Sequence, residues 1–278
     1  MKRHTSRTIK MANSFPRQPV YFFSRTCFPS PEAGSQTRVH DRLLERSIRD
    51  IPRQLSRRPD AILFLSGDWV EPVFTISPLP ESATVPDEFG VRAHPDEAEH
   101  RVSSMLLSRR VVDLLDGAAL PTREALDHRI DDGMLILLNM MYPNARIPVA
   151  RLSLRATLDP GIHWAAGHAI AQLRDENVLI IGCGSSRGEE GWTMQEPARL
   201  SVNFDMWLRQ ALFEEDPSHR IMALMNWERA PAARIAHPLG NSLMPLLFIA
   251  GTAGEDAAKS VVGGRHRTSV SPSNFRFG

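Results

Sequence analysis

The sequence has little of what would assign it to several specialised classes of protein. Its two cysteines, Cys27 and Cys183, lie far apart and no export signal is recognisable, so we expect reduced thiols rather than a disulfide framework. Lysine and arginine total 33 against 32 for aspartate and glutamate, which leaves no strong charge to attract nucleic acid or an anionic membrane. No apolar run reaches the roughly 18 residues that cross a bilayer. We therefore expect a cytoplasmic protein with neither of these partners.

The apolar content is the first positive guide to the fold. Apolar residues make up 42% of the 278 residues, which is enough for one sizeable core. The first 18 residues are basic and rich in hydroxyl groups, which predicts a disordered tail over residues 1–18. We expect a single domain over residues 19–262, followed by a C-terminal tail over residues 263–278 whose two phenylalanines can dock.

Strand-like and helix-like segments alternate along this domain. Four short apolar runs predict buried strands: PVYFFS, AILFLSGDW, IPVARLSL and NVLIIGCG. The run LMPLLFIAG also suits a buried strand. Four amphipathic segments predict helices: HDRLLERSIRDIPRQL, EAEHRVSSMLLSRRVVDLLD, GIHWAAGHAIAQLRDE and RLSVNFDMWLRQALFEE. The alternation predicts an α/β fold with a central, mostly buried mixed sheet and helices on both faces, and any ligand chemistry collects at the strand ends.

Three longer stretches carry a resemblance to a known family. The first is GMLILLNMMYPNARIPVARLSL and the third is AHPLGNSLMPLLFIAGTAGED. The second begins at His163 and follows the pattern H-x-x-x-G-x-A-I-A-x-L-R-D-E-x-V-L-I-I-G-x-G-S. In order and spacing they resemble the class III extradiol ring-cleavage dioxygenases of the DOPA-dioxygenase type, over roughly residues 19–262. The resemblance implies a divalent ion, iron(II) or zinc, held by imidazoles at the strand ends, where a catechol is opened by O₂ next to its two hydroxyls. Imidazoles suit such an ion as neutral, borderline donors.

Most of the family's histidine positions hold another residue in this sequence. The family's S-H-G reads S-R-T here, so Arg25 replaces the imidazole, and its permanently protonated guanidinium cannot ligate a metal. The family's S-A-H-W-E reads S-G-D-W-V-E, which puts Asp68 at the histidine position, where a carboxylate can still bind metal. The family's G-S-G-x-x-x-H-N places Gly188 at its histidine and Glu189 at its asparagine. The second histidine of H-P-x-x-x-H is Ser242 here, a poor ligand.

Three further residues keep some potential for a role in the site. His237, the first histidine of H-P-x-x-x-H, is the one motif imidazole that is retained, either as a ligand or as a hydrogen-bonded structural residue. Asp132 aligns with the catalytic histidine of the family's D-H-G, either as an exposed loop acid or as a surviving proton carrier. His128 lies four residues earlier and could take that role only if the loop were shifted.

These substitutions favour one hypothesis and leave two others open. The leading hypothesis is a dioxygenase-like protein with a degenerate metal site and no cofactor, acting as a non-catalytic homologue, a homo-oligomer or the partner of a catalytic sister subunit. The second is an active metalloenzyme that holds iron(II) or zinc through a variant set, drawn from Asp68, His237 and one of Asp132, Glu189 or His128. The third is a protein that binds a small aromatic acid through Arg25.

Overall fold

One mixed sheet forms the centre of the structure. The computed structural model describes residues 16–24, 35–78, 98–125, 132–143, 147–185, 196–261 and 273–278. The strands in these residues are β1 (Val20–Ser24), β2 (Ala61–Glu71), β3 (Phe74–Pro78), β4 (Thr122–Glu124), β5 (Val149–Arg155), β6 (Val178–Gly184), β7 (Ala258–Ser260) and β8 (Phe275–Phe277). Their order in the sheet is β4-β3-β5-β2-β6-β1-β8-β7. The four predicted strands are confirmed as β1, β2, β5 and β6, which lie side by side and run parallel.

The helices in the described residues cover both faces of the sheet. They are α1 (Ser35–Gln54), α2 (Ala98–Gly117), α3 (Asp132–Met141), α4 (Pro160–Ala169), α5 (Glu196–Leu212), α6 (Pro217–Met225), α7 (Ala233–Ala236) and α8 (Met244–Ala253). The four predicted helices correspond to α1, α2, α4 and α5, and the predicted fold class is confirmed. None of the helices that the structure describes has the length and apolar content that a membrane span requires.

Two apolar clusters explain why the central strands read as continuous apolar runs. On one face, Val20, Leu63 and Ile180 pack beneath α2, α4, α5 and α8. On the other face, Phe64 and Ile181 pack beneath α1 and α3. Because each central strand is covered on both sides, almost every position is apolar, as expected for parallel strands in a layered α/β fold.

The prediction of a strand for LMPLLFIAG is wrong, because this segment forms α8. Every residue from Met244 to Ala253 is buried, so the helix shows none of the alternation between apolar and polar residues that marks an amphipathic one. Helix α8 crosses α4 at very close range through two glycines. A Cβ atom on Gly167 would overlap the carbonyl oxygen of Phe248, and one on Gly251 would overlap that of Trp164.

Residues near both ends of the described chain are packed into the domain. Gln18, the last residue of the predicted basic tail, is 1% exposed and donates from its side chain to the Asn177 side chain at 2.6 Å. In the predicted C-terminal tail, Phe275 and Phe277 are buried in β8, which lies between β1 and β7. The docking expected for these two phenylalanines is therefore observed.

Candidate functional site at the strand ends

The carboxyl ends of three central strands meet at one edge of the sheet. Ser24 at the end of β1 pairs with Gly184 at the end of β6, and Ser66 in β2 pairs with Cys183. In a parallel sheet with helices on its faces, this edge is where ligands usually bind. We call this region the strand-end site, and it comprises Ser24 and residues 66–68, 184–185 and 241–242.

An outward bulge in β2 creates part of this site. Leu65 pairs with Leu152 of β5 and Val70 pairs with Leu154, so four residues of β2, 66–69, stand opposite a single residue of β5. The bulge carries Gly67 against the loop before α8, where an added Cβ would lie 3.2 Å from Ser242 Cα. The Asn241 side chain donates to the Gly67 carbonyl at 3.0 Å. Bulges of this kind re-aim side chains at functional edges.

Ser242 joins the ends of β2 and β6. The backbone N–H of Ser185 donates to the Ser242 carbonyl at 2.7 Å. A side chain on Gly184 would overlap that same carbonyl, so glycine is required where the loop crosses the strand end. Two of the predicted positions, Asp68 and Ser242, are therefore brought to the same edge, and the side chain of Asp68 is exposed there.

His237 is enclosed by aromatic rings. It is 0% exposed, its Nδ1 lies 2.8 Å from Ser242 Oγ, and the centroid of its ring lies 4.7 Å from that of Phe204. The Trp227 ring stands perpendicular to it at 6.1 Å. The imidazole is thus packed edge-to-face against two rings, and one of its nitrogens is already engaged by a hydroxyl.

The other predicted site residues cannot be placed in the same way. Arg25, His128, Gly188 and Glu189 lie outside the described residues. Asp132 begins α3, and its side chain is also outside the described part of the structure. The structure therefore gives the positions of Asp68, His237 and Ser242, and the roles of all the predicted site residues stay predictions.

A buried carboxylate near the end of β1 was not predicted. Asp205 in α5 is 6% exposed, and its Oδ2 accepts from Arg209 Nε at 3.0 Å and from Ser273 Oγ at 2.9 Å. Asn274, which follows Ser273, accepts a hydrogen bond at its side-chain oxygen from the backbone N–H of Ser24 at 2.8 Å. The C-terminal segment thus connects α5 to the strand-end site. A sequence signal for it exists, since Asp205 occupies the buried stripe of α5 at helical spacing from Leu208 and Leu212.

The described donors do not make up the imidazole set that the resemblance implies. Within the ranges that the structure describes, no group of three or more His, Cys, Asp and Glu side chains is arranged to hold a metal ion. At the family's ligand motifs, the described donors are the exposed carboxylate of Asp68 and the enclosed imidazole of His237, whose Nδ1 contacts the Ser242 hydroxyl. This pair does not fit a divalent ion that needs three or more ligands and open positions for substrate.

Fold and site together define an α/β protein whose candidate site lies at the carboxyl ends of its parallel strands. Residues 29–278 match the family described as the catalytic LigB subunit of aromatic ring-opening dioxygenase. This chain belongs to that family.

Individual relatives agree with this assignment. The chain is 32% identical over 216 residues to a 4,5-DOPA dioxygenase extradiol of Beta vulgaris, covering 74% of this chain and 78% of that protein. It is 26% identical over 262 residues to the dioxygenase tasH of Hapsidospora irregularis, covering 86% and 79%. The crystal structure of an uncharacterized protein from Escherichia coli K12 superposes with a TM-score of 0.69 at 22% identity, covering 94% of this chain and 100% of that chain, which shows the shared fold.

Proposed function

We propose that this chain is an extradiol dioxygenase-like protein with a degenerate metal site, which does not itself open catechol rings and acts as a non-catalytic homologue or as the partner of a catalytic subunit. One observation carries the proposal: of the strand-end positions that hold imidazoles in the family, Ser242 is a hydroxyl bonded to the enclosed His237 and Asp68 is an exposed carboxylate. Arg25 and Gly188 in the sequence add a cation and a residue without a side chain. Losing even one orienting or ligating group usually weakens such a site sharply.

Ring-opening activity tests this proposal directly. The purified full chain is incubated anaerobically with iron(II), mixed with catechol or DOPA, and exposed to O₂ while oxygen uptake and yellow product are followed. The Beta vulgaris relative serves as the positive control. We expect uptake no faster than iron(II) in buffer alone. Protein-dependent uptake that is saturable in iron(II) would refute the proposal.

A partner subunit requires a second measurement. We expect the chain, purified from its native cells, to carry ring-opening activity only when a related chain co-purifies with it. Activity that follows this chain alone through size-exclusion chromatography would contradict the partner role.

A variant metal site is the second candidate function, and the bulge in β2 favours it, because it brings Asp68 to the edge that also holds the His237 loop. The other donors would come from Asp132, Glu189 or His128. Metal content of the protein as isolated tests it, in wild type, Asp68→Ala and the exposed control Asp60→Ala. A divalent metal near one per chain that is lost only in Asp68→Ala supports this candidate, and equal metal content in all three refutes it.

An aromatic-acid site is the third candidate, resting on Arg25, which follows Ser24, the last residue of β1, in the sequence. A guanidinium is a ready partner for a carboxylate, with which it can form two parallel hydrogen bonds. We expect protocatechuate to raise the melting temperature of wild type and of Arg53→Ala but not of Arg25→Ala. No stabilisation, or equal stabilisation of all three, would refute it.

A further inference from the structure

A tyrosine and two basic residues lie side by side on strands β1, β8 and β7, away from the strand-end site. Tyr21 of β1 is in register with Arg276 of β8, and Arg276 is in register with Lys259 of β7. Residues directly opposite each other on neighbouring strands point to the same face, so these three side chains share one face. Tyr21 belongs to the cluster beneath α1 and α3, which identifies that face.

The second tyrosine of the chain approaches the first. The sequence contains two tyrosines, Tyr21 and Tyr142, and Tyr142 follows the end of α3 and packs against the same cluster. Burial raises the pKa of Tyr142, the neighbouring Tyr21 raises it further, and the positive charge of Arg58 lowers it. Burial also raises the pKa of Tyr21, against the opposing effect of Arg276. Both phenols therefore keep their protons at neutral pH, within electrostatic range of two guanidinium groups.

Three hydrogen-bond donors in this cluster have no acceptor in the part of the chain that the structure describes. They are the hydroxyl groups of Tyr21 and Tyr142 and the Nε of Arg276, and all three atoms are covered. A buried polar group without a partner destabilises a fold, because it has lost its hydrogen bonds to water. A protonated phenol can donate or accept, whereas a guanidinium can only donate, so any group that bonds to all three must be an acceptor.

Charge decides which acceptor fits best. The charged groups that act on the pKa of the two phenols, among the described residues, are Arg276 and Arg58, and Lys259 lies beside Arg276. Water would satisfy the donors but would bring no negative charge to Arg276. An oxyanion does both, since charge-assisted hydrogen bonds to guanidinium are about twice as strong as neutral ones.

We propose that the phenol–arginine cluster (Tyr21, Tyr142 and Arg276) binds a small oxyanion, namely phosphate, sulfate or a carboxylate. Tyr142 and Arg276 are partly exposed and Tyr21 is buried, so a small ion can reach the cluster from the side of Tyr142 and Arg276. Arg58 precedes β2, so the cluster lies toward the amino ends of the parallel strands, opposite the strand-end site. The proposal does not depend on whether the chain opens catechol rings.

Equilibrium dialysis with labelled phosphate at constant ionic strength tests the site in the full chain. We expect saturable binding of one phosphate per chain, weakened about fivefold in Tyr21→Phe and in Tyr142→Phe and at least tenfold in Arg276→Met. The control Arg53→Met removes an exposed cation of α1 and should bind like wild type. Competition by sulfate and by acetate shows which oxyanion the site prefers.

Thermal unfolding supplies a second readout that does not require tight binding. Without oxyanions, Tyr142→Phe should melt above wild type, because the variant removes an unsatisfied hydroxyl and keeps the ring. With saturating oxyanion the order should reverse. The proposal is overturned if phosphate, sulfate and acetate all fail to bind saturably, or if wild type and the three cluster variants bind equally. An unchanged melting order in the presence of a bound anion would also overturn it.

Discussion

The contact between α4 and α8 allows a sharp test of the fold. Replacing Gly167 with alanine adds one methyl group where two helix backbones meet. Besides overlapping the Phe248 carbonyl oxygen, the new Cβ would lie 2.9 Å from Phe248 C and 2.9 Å from Thr252 N. These neighbours are backbone atoms of a fully buried helix, so the clash is relieved only if α8 moves as a unit.

The size of the effect follows from two opposing contributions. Alanine is favoured over glycine in a helix by about 1 kcal/mol. Overpacking a tight core costs about 1–3 kcal/mol, and rigid backbone on the far side of the contact places this site at the upper end or beyond. We therefore expect Gly167→Ala to lower the free energy of unfolding by at least about 2 kcal/mol, a large share of the roughly 5–15 kcal/mol that a typical domain has.

Urea unfolding followed by circular dichroism measures this loss. The transition midpoint should fall while the slope stays constant, which indicates a change in stability rather than in the extent of unfolding. Gly117→Ala is the matched control, because a Cβ at the end of α2 meets nothing within 4 Å. We expect that control to be neutral or slightly stabilising. If Gly167→Ala unfolds within about 0.5 kcal/mol of wild type, the close crossing of α4 and α8 is refuted.

Three further predictions address buried polar groups. Burial lowers the pKa of His163, so as the pH falls the unfolded chain binds a proton there before the folded chain does. The free energy of unfolding of wild type should therefore fall more than that of His163→Gln between pH 7.5 and pH 5.5, mainly below about 6.5. Equal losses in urea unfolding at these two pH values would contradict this. Asp205→Asn weakens the bonds to Ser273 and Arg209 and should speed hydrogen exchange in residues 273–278, and unchanged exchange would argue against that anchor. Arg174 donates to the carbonyls of Gln18 and Thr252 and to Asp256, so Arg174→Met should cost about 3 kcal/mol in urea unfolding, more than Asp256→Asn, which keeps the carbonyl bonds. The reverse order would show that leaving the buried guanidinium without its carboxylate costs more than losing all of these bonds.

The central sheet could be predicted because burial on both faces leaves a direct trace in the sequence. Runs such as VLIIG have no polar positions to place, and their length fits a strand. The same reasoning failed for LMPLLFIAG, where a helix buried on all sides loses the 3.6-residue period that would identify it. The length of the segment was a poor guide there, since nine apolar residues fit either a strand or a short helix.

The candidate site was predictable only as far as local sequence determines it. The predicted strand ends indicated where Asp68 would lie, and the resemblance indicated Ser242 and the other positions to inspect. The bulge over residues 66–69 was not predictable, because it depends on Gly67 packing against a loop that follows 174 residues later. The contacts of Asp205 with Ser273, and of Ser24 with Asn274, join segments whose separation in the sequence gives no pattern to recognise.

The insertion of β8 between β1 and β7 has a consequence for biosynthesis. Ser24 and its partner Asn274 are 250 positions apart, so β1 emerges from the ribosome long before the strand that covers its outer side. Until then the nascent chain presents an apolar strand with an unpaired edge, which is the kind of surface to which other nascent chains or chaperones bind. Correct folding of this protein during translation should consequently depend on how well the unpaired edge of β1 is protected until β8 is made.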